Sequence, residues 1–112
     1  MPPDLVVSTS QQDAATVLAV SGEIDLATAP DLQQALAAAS GAEHVVADLS
    51  AVTFMDSTGL RVLISAHEAA STAGHKLSLV APEGMVTKVL RITGVDRELN
   101  VFGSLSDALG SG

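Results

Sequence analysis

Asp56, Ser57 and Thr58 place one carboxylate beside two hydroxyls, with Phe54-Met55 before them and Gly59-Leu60 after. The segment falls where a strand passes through a turn into the longest helical stretch of the chain. A side-chain oxygen at a helix start has two uses. It can cap the helix by accepting from an orphan backbone N–H, and position alone favours that use for Ser57 or Asp56. It can also stay exposed and accept a modifying group. A phosphate on it would meet free N–H donors and the positive end of the helix dipole. The two uses are compatible.

Other chemistries lack their residues. Asp56-Ser57-Thr58-Gly59 is one residue longer than the Asp-Thr-Gly of aspartic proteases, and no second copy supplies the partner carboxylate of a shared-proton pair. His44, His67 and His75 show no metal-ligand spacing. His67 falls on a helix stripe and reads as a half-buried structural residue; His44 and His75 precede strands and read as solvent-facing. There is no phosphate-binding G-x-x-x-x-G-K-[ST] loop and no G-x-S-x-G elbow. A nucleotide-binding or hydrolysing protein is therefore disfavoured. No cysteine is present, which removes disulfides, a redox switch within the chain and thiolate metal sites. No metal and no cofactor are expected, and no catalytic residue is assigned.

The formal net charge is −8, and Arg61, Lys76, Lys88, Arg91 and Arg97 are the only fixed cations. Such a surface repels a phosphate backbone, and no aromatic residues interleave the cations as a stacking platform, so nucleic-acid binding is not expected. The acidity reads more simply as solubility than as a dedicated basic partner. A length of 112 residues suits one domain over 1–112, with a core that needs no staples. Aromatic residues make up only 2%, so that core must be aliphatic. The start Met1-Pro2-Pro3-Asp4 lacks the basic and apolar regions of a signal peptide. No apolar run reaches the roughly 18 residues that would span a bilayer. A cytoplasmic protein without membrane insertion is the simplest reading.

The elements that must position the Asp56–Gly59 segment follow from periodicity. Residues 5–20 read as a hairpin turning at Gln11-Gln12-Asp13, after which Gly22-Glu23-Ile24-Asp25 leaves the sheet. Thr28-Ala29-Pro30-Asp31 reads as a helix start, with Thr28 as cap and Asp31 completing a variant capping box. Ser40-Gly41 ends that helix. His44–Leu49 shows little alternation and predicts a central strand covered on both faces, followed by a turn at 50–53. A helix is predicted over about 57–73, with Leu60, Leu63, Ile64 and His67 on its buried stripe and Gly74 as its stop. Lys76–Val80 reads as a strand, and a helix opened by Pro82-Glu83 closes at Gly94. Leu99–Phe102 reads as a last strand, and Ser104 caps a final helix to Leu109. The tail Gly110–Gly112 reads as disordered. The order ββαβαβαβα implies an α/β fold with a mixed, mostly parallel sheet of about five strands and about four helices.

With these residues in place, the chain resembles the STAS-domain anti-sigma factor antagonists. Their phosphorylation motif is usually Asp-Ser-Ser-Gly-Leu after an apolar pair. Phe54-Met55, Asp56, Ser57, Gly59 and Leu60 match it, and Thr58 replaces the second serine. Gly22-Glu23-Ile24-Asp25 is similar to the family's Gly-Glu-(Leu/Ile)-Asp. Val45–Ser50 is similar to its central strand, and Gly74 and Ile92-Thr93-Gly94 also fit. The order of these short motifs is more specific than any one of them, and the STAS fold is implied over nearly the whole chain.

The resemblance implies a partner switch in bacterial transcription regulation, with stress response as its setting. The unphosphorylated protein binds an anti-sigma factor that is also a serine kinase, and the sigma factor is released. The kinase phosphorylates Ser57, with Thr58 as a minor acceptor, and the complex ends. A metal-dependent serine phosphatase restores it. The chain is then a substrate and binding module, not an enzyme, and a monomer when free. Glu23, Asp25, Asp56, Ser57, Thr58, Gly59 and Arg61 are its candidate partner-binding residues. For Glu23 and Asp25, a role as loop carboxylates before Thr28 weighs equally. Arg61, four residues after Ser57, could pair with a phosphate or contact the kinase, though a solvated helix residue is the simpler reading. The alternative is a STAS accessory subunit of an ABC-type lipid transporter. Such modules tend to lack the full phosphoacceptor motif that this chain keeps.

Overall fold

The computed structural model describes residues 4–111. β1 (Leu5–Gln12) and β2 (Ala15–Ile24) form an antiparallel hairpin. Its two-residue turn lies at Asp13 and Ala14, with φ 50° and 66°, slightly later than the polar run suggested. Positive φ at both turn residues matches the strand twist. α1 (Ala29–Ala38), β3 (His44–Met55), α2 (Ser57–Thr72), β4 (Lys76–Val80), α3 (Met85–Thr93), a 3-10 turn at Val95–Arg97, β5 (Asn100–Phe102) and α4 (Leu105–Gly110) follow. The expected order of strands and helices is thus observed, with the 3-10 turn added.

The sheet runs β1-β2-β3-β4-β5, and every pair after the hairpin is parallel. Each crossover therefore steps in the same direction. Right-handed crossovers stepping one way put their helices on one face. Leu32 and Leu36 of α1, Leu60 and Leu63 of α2, and Val86 and Leu90 of α3 accordingly share one core with Leu18, Val20, Ala47, Leu49 and Leu79 of the sheet. α4 covers the opposite face, where Ala108 and Leu105 meet Val17, Val46 and Val80. Successive side chains on β3 and β4 point to opposite cores, which is why those strands show little polar alternation.

Several boundaries differ from the sequence reading, and pairing explains them. Gly22-Glu23-Ile24 does not leave the sheet, because β2 continues to Ile24 beside Phe54 and Met55. Residues 50–53 are not a turn: β3 carries on through them, with register shifts between Ala19 and Ser21 and between Gly22 and Glu23. The shifts break the alternation that a regular strand would print in the sequence. Residues 82–84 form a lead-in, and α3 starts at Met85 with Gly84 as its cap. Gly94 closes α3 at φ 75° and Gly74 follows α2 at φ 77°, both as read. The Ser104 hydroxyl accepts from Asp107 N, capping α4 as expected.

The chain end also differs. α4 includes Gly110, and Lys76 Nζ donates to the Ser111 carbonyl (2.7 Å) while lying 5.9 Å from the centre of the Phe102 ring. Of the tail read as disordered, only Gly112 lies outside the described residues, as does Met1–Pro3 at the start. His44 is buried rather than solvent-facing, and its Nε2 lies 2.9 Å from the Ser78 hydroxyl. The β3–β4 pairing sets it opposite Lys76. His75 is half-buried beside the Ser40 carbonyl, and His67 is half-buried on α2.

Two consequences can be measured. Ala14 holds a left-handed conformation that costs a residue with Cβ about 1–2 kcal/mol, whereas glycine adds about 0.5–1 kcal/mol of unfolded-state entropy. Ala14→Gly should therefore stabilise the protein by about 0.5–1 kcal/mol in urea unfolding. Burial, then the Lys76 charge, pushes the His44 imidazole below its ordinary value of 6.5. The folded state thus takes up this proton less readily than the unfolded chain. Stability from neutral His44 is complete above pH 6.5 and is lost as pH falls below it. His44→Gln should flatten the stability profile below pH 6.5, the range in which the unfolded chain takes up the proton first.

Candidate functional site

The Asp56–Gly59 segment is held by the last rung between β2 and β3. Asp56 N donates to the Ile24 carbonyl (3.1 Å), so the start of α2 is bonded to the end of β2. Asp56 is the N-cap, in extended conformation (φ −106°, ψ −171°), and its Oδ1 accepts from Thr58 N at 2.9 Å. The Thr58 hydroxyl donates to the same Oδ1. That hydroxyl bond, ahead of the backbone N–H groups of Thr58 and Gly59, holds the Asp56 carboxyl below the usual carboxylate range. Asp56 is therefore an anion at neutral pH.

Three consecutive residues consequently have different roles. Asp56 is the cap, half-buried. Thr58 is half-buried with its hydroxyl committed to Asp56. Ser57 is exposed at the first helical position, and among the described residues its hydroxyl has no hydrogen-bond partner. The position-based choice between Ser57 and Asp56 as cap is thus decided for Asp56. One of the backbone donors expected to meet a phosphate on Ser57 is already taken. The Asp56 carboxylate already sits on the Thr58 N–H, so a phosphate would face an anion beside it.

Gly59 is buried because nothing larger fits. A Cβ there would lie 2.6 Å from Ile24 Cγ2 and 2.8 Å from Met55 Cγ. This contact seats the first turn of α2 directly on the ends of β2 and β3. Gly22 meets a second close approach, since its Cβ would fall 2.0 Å from the Asp4 carbonyl oxygen, at φ 111°. The Gly22-Glu23-Ile24-Asp25 motif is thus a strand end that lets β1 pass close by, with Glu23 N donating to the Asp4 carbonyl (2.9 Å).

Asp25 and Thr28 exchange the roles read from sequence. Thr28 makes no side-chain cap bond. Its hydroxyl instead accepts from Asp25 N (2.9 Å) and donates to the Glu23 carbonyl (2.8 Å). The Asp25 carboxylate accepts from Ala27 N (3.0 Å) and Thr28 N (3.1 Å). Asp31 makes no capping-box bond among the described residues. The D-x-x-T spacing was the signal for this reciprocal turn. Glu23 is exposed and Asp25 half-buried, both at the end of the sheet that carries Ser57.

Arg61 is exposed and makes no ion pair among the described residues. It lines a cavity of about 690 Å³ between α1 and α2, with Gln33, Val62 and Ser65. No cluster of His, Asp or Glu among the described residues could hold a metal ion, and no described helix is long and apolar enough to cross a membrane.

The chain belongs to the STAS-domain family of anti-sigma factor antagonists. The STAS domain family matches residues 6–108. The chain is 33% identical over 110 residues to the anti-sigma-F factor antagonist RsfB of Mycobacterium tuberculosis, covering 96% of this chain and 89% of that protein. It is 27% identical over 100 residues to the anti-sigma-B factor antagonist of Staphylococcus aureus, covering 88% and 93%. The crystal structure of an anti-sigma factor antagonist from Mycobacterium paratuberculosis superposes with a TM-score of 0.90 at 34% identity, covering 98% of this chain and 96% of that one.

The close seat of Gly59 is testable. Gly59→Ala should destabilise the fold by about 1–3 kcal/mol, because Ile24 and Met55 must move to admit the methyl group. Equilibrium urea unfolding measures it. A change within about 0.5 kcal/mol would mean that the helix start is loosely seated.

Proposed function

We propose that this protein is an anti-sigma factor antagonist controlled by phosphorylation of Ser57. The unphosphorylated form binds a serine-kinase anti-sigma factor and frees the sigma factor. The observation that carries the reading is the difference between two adjacent hydroxyls. Ser57 is exposed with no partner among the described residues, while Thr58 is half-buried and bonded to Asp56. A kinase reaching the start of α2 meets one available acceptor, and Thr58 would first have to break its bond.

The physical cost of modification suits a switch. A phosphate adds about −1.5 to −2 charges at neutral pH. Here it would stand next to an ionised Asp56 that already occupies the Thr58 N–H. A thousandfold loss of affinity requires about 4 kcal/mol. Enclosing a dianion and a carboxylate together in an interface can cost that much. The group acts where it is attached, without refolding the domain. The chain is a substrate of the kinase and of a metal-dependent serine phosphatase, and it catalyses neither step. Names of the relatives support the antagonist role, and the absence of a phosphate loop from the sequence agrees with the passive one.

Mixing the protein with each candidate serine-kinase anti-sigma factor and Mg-ATP tests this reading by intact mass and peptide mapping. One phosphoryl group on Ser57, none on Ser57→Ala, and binding weakened at least a hundredfold by the modification are expected. Phosphate on Thr58 in the wild type, or a phosphorylated complex as tight as the unmodified one, would be incompatible with it.

A further inference from the structure

We infer that the partner is gripped by exposed apolar side chains at the Ser57 end of the sheet, with Leu26 as their anchor. This rests on the antagonist reading and adds to it the source of affinity. Five large apolar side chains are exposed among the described residues: Val6, Leu26, Phe54, Met85 and Ile92. Single exposed apolar residues are ordinary. Their distribution is not. Val6 pairs with Ser21 and Phe54 with Glu23, both in the last residues of β2. Leu26 lies two residues beyond the end of β2, and Met85 opens α3 just past the end of β4. Four of the five therefore lie toward the sheet end from which α2 and Ser57 start: Val6 and Phe54 on the face away from α1–α3, Met85 at the head of α3, and Leu26 nearest Ser57, since Asp56 N is bonded to the Ile24 carbonyl. Only Ile92, late in α3, lies elsewhere.

Leu26 is the most exposed of them at 77%. It sits on the turn fixed by Asp25 and Thr28, whose carboxylate and hydroxyl take the N–H groups on either side of it. A large apolar side chain held on an immobilised turn loses little conformational entropy when it is covered. That combination favours a binding anchor.

Charge selects the occupant. Asp4, Glu23, Asp25 and Asp56 border this end, and Glu83 beside Met85 is already paired with Arg91 (2.9 Å). A second copy of the chain would bring the same carboxylates against these, so self-association is opposed. The fitting partner is an anti-sigma factor that offers an apolar cleft bordered by arginine or lysine. Buried apolar contacts supply the affinity, and the acidic border steers the approach. A phosphate on Ser57 would then place a hydrated charge beside the turn that carries Leu26, next to a surface that must become dry.

The test measures dissociation constants for wild type, Leu26→Ala and Ile92→Ala against each candidate serine-kinase anti-sigma factor, with melting temperatures and sedimentation of the free proteins. We expect Leu26→Ala to bind ten- to a hundredfold more weakly, mainly through faster dissociation, with an unchanged melting temperature. Ile92→Ala should bind as wild type does. Leu26→Ala binding within twofold of wild type, while wild type itself binds tightly, overturns the anchor and leaves the antagonist reading intact. A wild-type dimer that Leu26→Ala converts to monomer overturns it in favour of a second copy. Failure of wild type to bind any candidate overturns both readings.

Discussion

The rest of the site depends on the contact between Gly59 and the ends of β2 and β3. With no side chain at 59, the first turn of α2 rests on Ile24 and Met55. The Asp56 N–H then reaches the Ile24 carbonyl as one more rung of the ladder. A methyl group in that space would push the helix start away from the sheet. The cap geometry of Asp56, the committed hydroxyl of Thr58 and the outward hydroxyl of Ser57 all follow from this seat. The motif is thus a packing solution before it is a chemical one.

The same end of the sheet is fixed a second time, from β1 and α1. Gly22 lets the Asp4 carbonyl come close, and Asp25 and Thr28 tie the end of β2 to the start of α1 by reciprocal bonds. Two glycines and two Asx- or Thr-type turns therefore hold the loops around Ser57 in place. Rigid loops reduce the ordering entropy of association.

The far side of the sheet does different work. α4 covers the face opposite the three crossover helices, and Lys76 fastens its end through the Ser111 carbonyl and the Phe102 ring. His44 and Ser78 satisfy one another beneath it. Burial of a neutral imidazole beside a lysine makes this side sensitive to mild acid, independently of Ser57.

The sequence by itself determined the element order, the aliphatic core and the site segment. Periodicity, helix stops at Gly74 and Gly94, and the Ser104 cap are local signals, because each arises from backbone geometry within a few residues. The Asp56–Leu60 and Gly22–Asp25 motifs were legible as a resemblance to a family pattern, and the local reading of Gly22–Asp25 as leaving the sheet missed the pairing with β3. Tertiary structure alone decided what depends on a neighbouring strand. β2 and β3 run further than their alternation suggests, because register shifts break the pattern that marks a strand. His44 is buried where β4 brings Ser78 against it, a pairing no residue near position 44 encodes. Asp25 rather than Thr28 serves the head of α1, because the Thr28 hydroxyl is drawn back to the end of β2. The exposed apolar residues come from β1, the β2–α1 loop, β3 and α3, so only the fold brings Val6, Leu26, Phe54 and Met85 to one end. Short-range geometry is written in the chain, whereas shared surfaces depend on which segments meet.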